Sequence, residues 1–166
     1  MVRILPPVSA LVRLARPDEA PIVHAITQHA FGEYRGVLPV ESGALAETLA
    51  DVEAVFTRGG AVLAIVDEQP VGAARFELET DALYVGRVAV LPSHRRRGIA
   101  SALMRCCEDL APGLGRDQVR LEVRQSLPSN VALYESLGYE VTSVEPHPRG
   151  PDVSLTMRKR LAVRRT

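Results

Sequence analysis

The sequence predicts an α/β fold in which helices flank a mixed, mainly antiparallel sheet. Runs with the alternating period of a strand are interspersed with runs that have the period of a helix, in the order β-α-α-β-β-β-α-β-α-β-β. Glycine and proline residues fall between these runs. The connection from Leu91 to Gln118, a helix between two strands, predicts one parallel strand pair with a right-handed crossover in a sheet that is otherwise antiparallel.

The first third of the chain predicts one strand and two helices. Ser9 to Ala15 alternates as a strand does, and Asp18 follows as a candidate helix cap. In the first helix, apolar residues recur at spacing four, namely Ile22, Ile26 and Ala30. A second helix is predicted between Ser42 and the two glycines at 59 and 60. Its single apolar stripe contains Leu45, Leu49, Val52 and Phe56.

Three β-rich runs follow and predict an antiparallel meander. They are Ala61 to Val66, Val71 to Glu79 and Ala82 to Leu91. A third helix begins near Gly98 and ends before Pro112. The residues expected on its apolar face are Ile99, Ala102, Leu103, Cys106 and Leu110.

The last part of the chain predicts three strands and a short helix. Gln118 to Arg124 alternates cleanly between apolar and charged residues. The helix runs from Ser129, a candidate cap, to Gly138. Tyr139 to Glu145 and Val153 to Lys159 are expected to close the sheet as a pair. All 166 residues are expected to form a single domain with a core at about 9–160.

Composition narrows the functional classes. The net charge is zero at pH 7, which disfavours nonspecific binding to nucleic acid or to a membrane surface. A nucleic-acid-binding protein that uses His94 to Arg97 and the basic C-terminal tail is a weaker alternative, since few aromatic residues are available for stacking. The adjacent Cys106 and Cys107 suit neither a disulfide nor a zinc site. No apolar run approaches the roughly 20 residues of a spanning helix. We therefore expect a cytoplasmic protein with no bound metal.

The segment from Ala89 to Met104 carries the clearest functional signal. A strand ends at Leu91, a short basic loop turns, and a helix starts at about Gly98. The free N–H groups of a first helical turn bind anions such as phosphate, and a glycine there leaves room for close approach. The spacing matches neither a P-loop nor a dinucleotide-binding glycine motif. The sequence therefore predicts a phosphate cradle of another type.

This segment resembles the GNAT superfamily of N-acetyltransferases. The resemblance is carried by Arg95-x-x-Gly98-x-Ala100, preceded by "VAVLP" and followed by "NVALYESLGY" at Asn130 to Tyr139. It implies a GNAT-like fold and acetyl-CoA as co-substrate, with the pyrophosphate on the amides of Arg96 to Ser101 and the pantetheine arm along Val88 to Val90. In this family the fourth and fifth strands splay apart and make the acyl slot. The cofactor-binding residues implied are Val88, Ala89, Val90, Arg95, Arg96, Arg97, Gly98, Ile99, Ala100, Ser101 and Asn130.

The resemblance also suggests the catalytic groups. Tyr134 occupies the position of the tyrosine that the family commonly uses to protonate the departing thiolate. The base that deprotonates the acceptor is less defined: the catalytic candidates are Glu77 and Glu79, with Asp81, Glu122, His147 or a water relay as alternatives. The acceptor pocket of this family is shaped by two loops. In this chain those loops carry Glu33, Tyr34, Arg35 and His147.

Together these features predict an N-acetyltransferase. It is expected to transfer an acetyl group from acetyl-CoA to a primary amine, on a small molecule or a protein N-terminus, by direct attack in a ternary complex. The alternative is a noncatalytic acyl-CoA-binding or sensor module, because a phosphate cradle can persist without chemistry. The identity of the acceptor and the oligomeric state, including a homodimer, stay open from the sequence.

Overall fold

The structure is a computed structural model and describes residues 9–162. Its helices and strands follow the predicted order. The strands are β1 (Leu11–Leu14), β2 (Gly59–Val66), β3 (Gln69–Leu78), β4 (Leu83–Val90), β5 (Gln118–Arg124), β6 (Glu140–Pro146) and β7 (Val153–Arg160). The helices are α1 (Ala20–Phe31), α2 (Leu49–Arg58), α3 (Ile99–Leu110) and α4 (Pro128–Ser136). The predicted α/β class and element order are therefore confirmed.

The seven strands form one sheet in the order β1-β2-β3-β4-β5-β7-β6. Only β4 and β5 are parallel, and α3 crosses between them, as the sequence predicts. Alternate residues of β2 serve the two faces of the sheet. Ala61 and Leu63 pack with α1 and α2, whereas Val62 and Ala64 pack in the larger cluster with α3. The sheet is thus buried on both faces.

The start of α2 differs from the prediction. Ser42 caps a short 3-10 turn, Gly43–Ala46, by accepting a hydrogen bond from the Ala44 amide. The helix itself begins at Leu49, because Thr48 and Asp51 form a reciprocal capping box. The predicted stripe that joined Leu45 to the helix is therefore wrong. The helix does end before the two glycines, as predicted, and Gly59 and Gly60 are the first residues of β2.

The buried faces of α1 and α3 show smaller shifts at individual positions. In α1, Ile26 and Ala30 are buried as predicted, whereas Ile22 is exposed and Val23 lies in the core. In α3, Met104 and Cys107 are fully buried, whereas Cys106 is only partly so. The helix α4 starts at Pro128, one residue before the predicted Ser129 cap. These shifts leave the order of elements unchanged.

An irregularity in β4 opens the sheet. Ala73 lies opposite Ala89 and Arg75 lies opposite Gly86, so β4 has one residue more than β3 between these pairs. The bulge contains Arg87, whose φ of +50° lies in the left-handed region that non-glycine residues rarely adopt. Beyond Tyr84 and its partner Arg120, no register pairs β4 with β5 within residues 9–162. The two strands therefore separate, as the resemblance implied.

A shared carboxylate holds the bulge. Glu47, in the loop before α2, accepts hydrogen bonds from Arg75 Nη2 at 2.6 Å and from Arg87 Nε at 3.0 Å. Arg75 is only 5% exposed, so its charge depends on this partner for stabilisation. Glu47 thus ties the loop before α2 to β3 and to the bulged segment of β4.

Replacing Glu47 with alanine should lower the free energy of unfolding by about 3 kcal/mol or more, because it leaves a buried guanidinium without a counter-charge. Denaturation in urea measures the change. The matched control is Glu77→Ala, which breaks the pair with Arg58 at 3.2 Å, where the Arg58 side chain is 54% exposed. An exposed pair of this kind contributes less than about 1 kcal/mol. Equal losses in the two variants would contradict the proposed role of Glu47.

Candidate active site

Two cavities meet where β4 and β5 separate. The α3 cavity, of about 430 Å³, lies between the end of β4, the start of α3 and α4. The β5 cavity, of about 210 Å³, lies between β4, β5 and the loops that follow α1 and β6. Five residues line both cavities, namely Phe31, Tyr34, Val88, Asn130 and Tyr134. A molecule bound in one cavity can therefore reach a molecule bound in the other.

The α3 cavity contains an array of free backbone amides. Ala102 is the first residue of this turn whose N–H donates along the helix, to Gly98 O at 3.0 Å. Within residues 9–162 no protein acceptor takes a hydrogen bond from the amides of Arg96 through Ser101. Gly98 has a φ of +76°, and no described atom lies within 4 Å of the position where a Cβ would stand. The free amides and the positive end of the helix dipole suit an anion.

Most of the predicted cofactor-binding residues come together here. Those that line the α3 cavity are Val88, Ala89, Val90, Arg95, Arg96, Gly98, Ile99, Ala100, Ser101 and Asn130. Arg97 is exposed and contributes no lining side chain. Its amide is still part of the free array, so the backbone of this residue fits the prediction better than its side chain.

The guanidinium of Arg95 is already occupied by protein acceptors. Its Nε donates to Val90 O at 3.1 Å, and its Nη2 donates to Ala30 O at 3.2 Å. Its Nη1 pairs with the carboxylate of Glu33. Arg95 therefore fixes the loop before α3 against the end of α1. Glu33, expected to contact the acceptor, is a partner of Arg95 and lines the α3 cavity.

Tyr134 lies at the junction of the two cavities. Its ring packs edge-on against Tyr139, with centroids 6.1 Å apart, and the residue is 9% exposed. Burial raises the pKa of the Tyr134 hydroxyl above its ordinary value, and interactions with Tyr84 and Tyr34 add to the shift. The phenol is therefore protonated at neutral pH and can donate a proton or a hydrogen bond. The Tyr139 hydroxyl instead donates to Glu108 at 2.9 Å, which gives it a structural partner.

The two carboxylates expected to act as bases lie elsewhere. Glu77 pairs with Arg58 at 3.2 Å, and Glu79 accepts two hydrogen bonds from Arg120 at 2.7 and 2.9 Å. Neither residue lines the α3 cavity or the β5 cavity. The catalytic assignment of Glu77 and Glu79 therefore stays a prediction: arginines hold both carboxylates outside these two cavities, although Glu77 lines a neighbouring cavity together with Arg87 and Glu122.

Glu122 takes their place as the candidate base. It is exposed on β5 and lines the β5 cavity, where it is the only carboxylate contributed by residues 9–162. Its Oε1 accepts a hydrogen bond from Arg120 at 2.9 Å, which orients the side chain. The alternation of β5 places Glu122 on the same face as Arg124. A carboxylate at this position can receive a proton from a bound ammonium group.

The residues predicted to contact the acceptor divide into two groups. Tyr34 lines both cavities and His147 lines the β5 cavity, whereas Arg35 is exposed and lines neither. The Nδ1 of His147 accepts the amide hydrogen of Arg149 at 3.2 Å. Burial, followed by the charges of Arg124 and Arg149, lowers the pKa of His147. This imidazole is therefore biased toward its neutral form.

Three arginines that line the β5 cavity were not predicted as site residues from the sequence, namely Arg87, Arg124 and Arg149. The alternation of β5 already placed Arg124 beside Glu122, so a signal for that residue was present. Arg149 lies in the loop with His147. Arg87 enters the cavity through the bulge, which depends on the register between β3 and β4 and leaves no mark in the local sequence.

The fold agrees with comparisons to known proteins. Residues 23–139 match the model of the acetyltransferase (GNAT) family. The chain therefore belongs to the GNAT acetyltransferase family, and the resemblance seen in the sequence is confirmed. A comparison with curated protein sequences finds no significant match.

Solved structures share the fold over nearly the whole chain. The ribosomal-protein-S18-alanine N-acetyltransferase from Escherichia coli is 21% identical, with a TM-score of 0.70 over 93% of this chain and 96% of that chain. The yncA protein from Salmonella typhimurium, solved with acetyl-CoA, is 17% identical, with a TM-score of 0.71 over 95% and 97% of the two chains. The PaiA N-acetyltransferase from Thermoplasma acidophilum, in complex with coenzyme A, is 15% identical, with a TM-score of 0.75 over 92% and 99%.

Among residues 9–162, none of the helices combines the length and apolar character needed to cross a membrane. The same part of the chain holds no group of three or more His, Cys, Asp or Glu side chains arranged to bind a metal ion.

Proposed function

We propose that the protein transfers an acetyl group from acetyl-CoA to a primary amine of a small molecule or a protein N-terminus. The observation that carries the proposal is the junction of the two cavities at Tyr134, one rich in free amides and the other lined by Glu122. Membership of the acetyltransferase family supports the reaction type. Relatives of this fold that contain acetyl-CoA or coenzyme A support the choice of donor.

The α3 cavity fits the donor. The amides of Arg96 through Ser101 are free to donate to a pyrophosphate, and Gly98 has no side chain in the way. The backbone of β4 at Val88 to Val90, left without a β5 partner, is available to an extended pantetheine arm. Arg95 acts as a positioning residue, because its bonds to Val90 O and Ala30 O hold the loop in place.

The chemistry requires three proton movements. Acetyl-CoA supplies a thioester, whose carbonyl carbon is attacked by the amine as the C–N bond forms and the C–S bond breaks. Glu122 takes the proton that an ammonium group, with an ordinary pKa of about 10, must lose before attack. Tyr134 donates to the departing sulfur, so that coenzyme A leaves as a thiol. The second amine proton passes to solvent as the amide forms. The side chains otherwise contribute orientation of the two substrates in a ternary complex.

The test is an acceptor screen that detects free thiol from acetyl-CoA. A panel of amino acids, polyamines, aminoglycosides, small aromatic amines and peptides with free N-termini covers the acceptor classes open to this fold. Thiol release that depends on one of these amines supports the transferase. Thermal stabilisation by acetyl-CoA with no thiol release across the panel would instead favour the noncatalytic acyl-CoA-binding alternative.

Glu122→Gln tests the base. The substitution keeps the size of the side chain but removes its ability to accept the ammonium proton, so we expect kcat to fall about 100-fold or more at neutral pH. The affinity for acetyl-CoA should not change, because Glu122 does not line the α3 cavity. Glu77→Gln is the matched control and should keep wild-type turnover. Equal turnover in both variants would assign the proton transfer to a water relay.

A further inference from the structure

The lining of the β5 cavity carries an unusual charge pattern. Arg87, Arg124 and Arg149 contribute three guanidinium groups to its wall, against the single carboxylate of Glu122 among residues 9–162. His147 adds a ring that burial and the neighbouring arginines bias toward the neutral form. A cavity built only to receive an amine would favour the opposite charge, because a cationic wall repels an ammonium group.

From this pattern we infer that the acceptor carries an acidic group a few bonds from its amine, as a free amino acid does. The inference rests on the proposed acetyl transfer and adds the chemical class of the acceptor. The carboxylate of the acceptor lies against the arginines, and its amine lies toward Glu122. This arrangement matches a zwitterion and disfavours a polyamine or an aminoglycoside, each of which brings several positive charges.

The three arginines differ in how far the protein already neutralises them. Arg87 shares the Glu47 carboxylate with Arg75, so two guanidinium groups depend on one negative charge. Arg124 lies 3.6 Å from Asp152 and also donates to the carbonyls of Val40 and Glu41. The wall therefore retains positive charge at Arg87, while Arg124 mainly anchors the loop before α2.

Arg149 is the least compensated of the three. Its Nη2 donates to the backbone carbonyl of Glu41 at 3.2 Å. Within residues 9–162 no carboxylate oxygen lies within 4.0 Å of its side-chain nitrogens. A guanidinium held by a neutral acceptor at the rim of a cavity keeps most of its capacity to bind an anion.

Arg87 and Arg149 also converge on one place. A Cβ built on Gly43 would lie 3.1 Å from Arg87 Nη2 and 3.5 Å from Arg149 Nη2, so both groups border the same small volume. Two like charges in that position repel each other unless an anion lies between them. Gly43 leaves this space free of a side chain. An oxyanion of the acceptor can therefore occupy it and accept from both arginines.

The experiment compares free amino acids with their amides, which keep the same amine and lose the negative charge. Because hydrogen bonds to a charged group contribute about 1.5–3 kcal/mol, we expect kcat/KM for the acids to exceed that for the amides by about 10- to 100-fold. In Arg149→Gln the ratio should fall toward one. The matched control is Arg160→Gln on β7, where the side chain is 77% exposed and lines neither cavity, and it should keep the wild-type ratio.

A second measurement separates this inference from the proposed function. The thermal shift produced by each acid and each amide reports binding without turnover. Acids and amides that react equally well in the wild type would overturn the acidic-acceptor inference and leave the transferase standing. Acids that stabilise the wild type but not Arg149→Gln, with no thiol release, would support the anion-binding wall and overturn the transferase. The inference is overturned if the acids show neither binding nor any selectivity over the amides.

Discussion

Tyr134→Phe should lower kcat about 100- to 10,000-fold and leave the affinity for acetyl-CoA close to that of the wild type. The hydroxyl lies at the junction of the two cavities, where a thiolate must leave as the amine becomes an amide. This phenol is protonated at neutral pH even at the ordinary tyrosine pKa of about 10, and burial raises its pKa further. Phenylalanine preserves the ring and its edge-on packing against Tyr139, so the substitution removes the proton donor and leaves the fold unchanged.

The control for this experiment is Tyr139→Phe. Tyr139 is buried beside Tyr134, but its hydroxyl donates to Glu108, which lines neither cavity. Its loss should lower the free energy of unfolding by about 1–3 kcal/mol and leave kcat unchanged. Steady-state kinetics with a saturating acceptor, together with acetyl-CoA binding by calorimetry, separate the two effects. Unchanged turnover in Tyr134→Phe would remove Tyr134 from the mechanism.

The sequence was most informative where local rules decide the structure. The bounds of β5, Gln118–Arg124, match the prediction, because clean alternation in a central strand leaves little choice of register. The helix start at Gly98 was equally readable, since a glycine with φ of +76° suits the turn from the basic loop into α3. The cap of α2 was also present in the sequence, as Thr48 followed by Asp51 three positions later. Ser42 competed with it and obscured the true start of the helix.

The site was less predictable because it depends on contacts between distant segments. Glu77 lies in β3 and Glu79 just beyond its end, and Arg58 and Arg120 occupy their carboxylates. The partner of Arg95, Glu33, lies 62 positions earlier in the chain. No local sequence pattern predicts ion pairs between such distant residues. The same is true of the bulge at Arg87, which exists only relative to β3.

Gly98→Ala should weaken acetyl-CoA binding by at least about tenfold, because the new methyl group takes up space beside the free amides. No described protein atom lies within 4 Å of the Cβ position, so the methyl group clashes with nothing in the protein. It projects beside the free amides, where the proposed pyrophosphate lies. Displacing one charge-assisted hydrogen bond of about 1.5–3 kcal/mol is enough for this loss.

Backbone strain has to be separated from this effect, because alanine at a positive φ lowers stability by about 1–2 kcal/mol wherever it occurs. Gly115 provides the matched control: its φ is +74° against +76° for Gly98, and its Cβ position is equally open among the described residues. Gly115 lies after α3 and lines neither cavity. Gly115→Ala should therefore show the same loss of stability with wild-type acetyl-CoA affinity. Equal acetyl-CoA affinities in the two variants would place the phosphate away from the first turn of α3, since strain alone would then account for both.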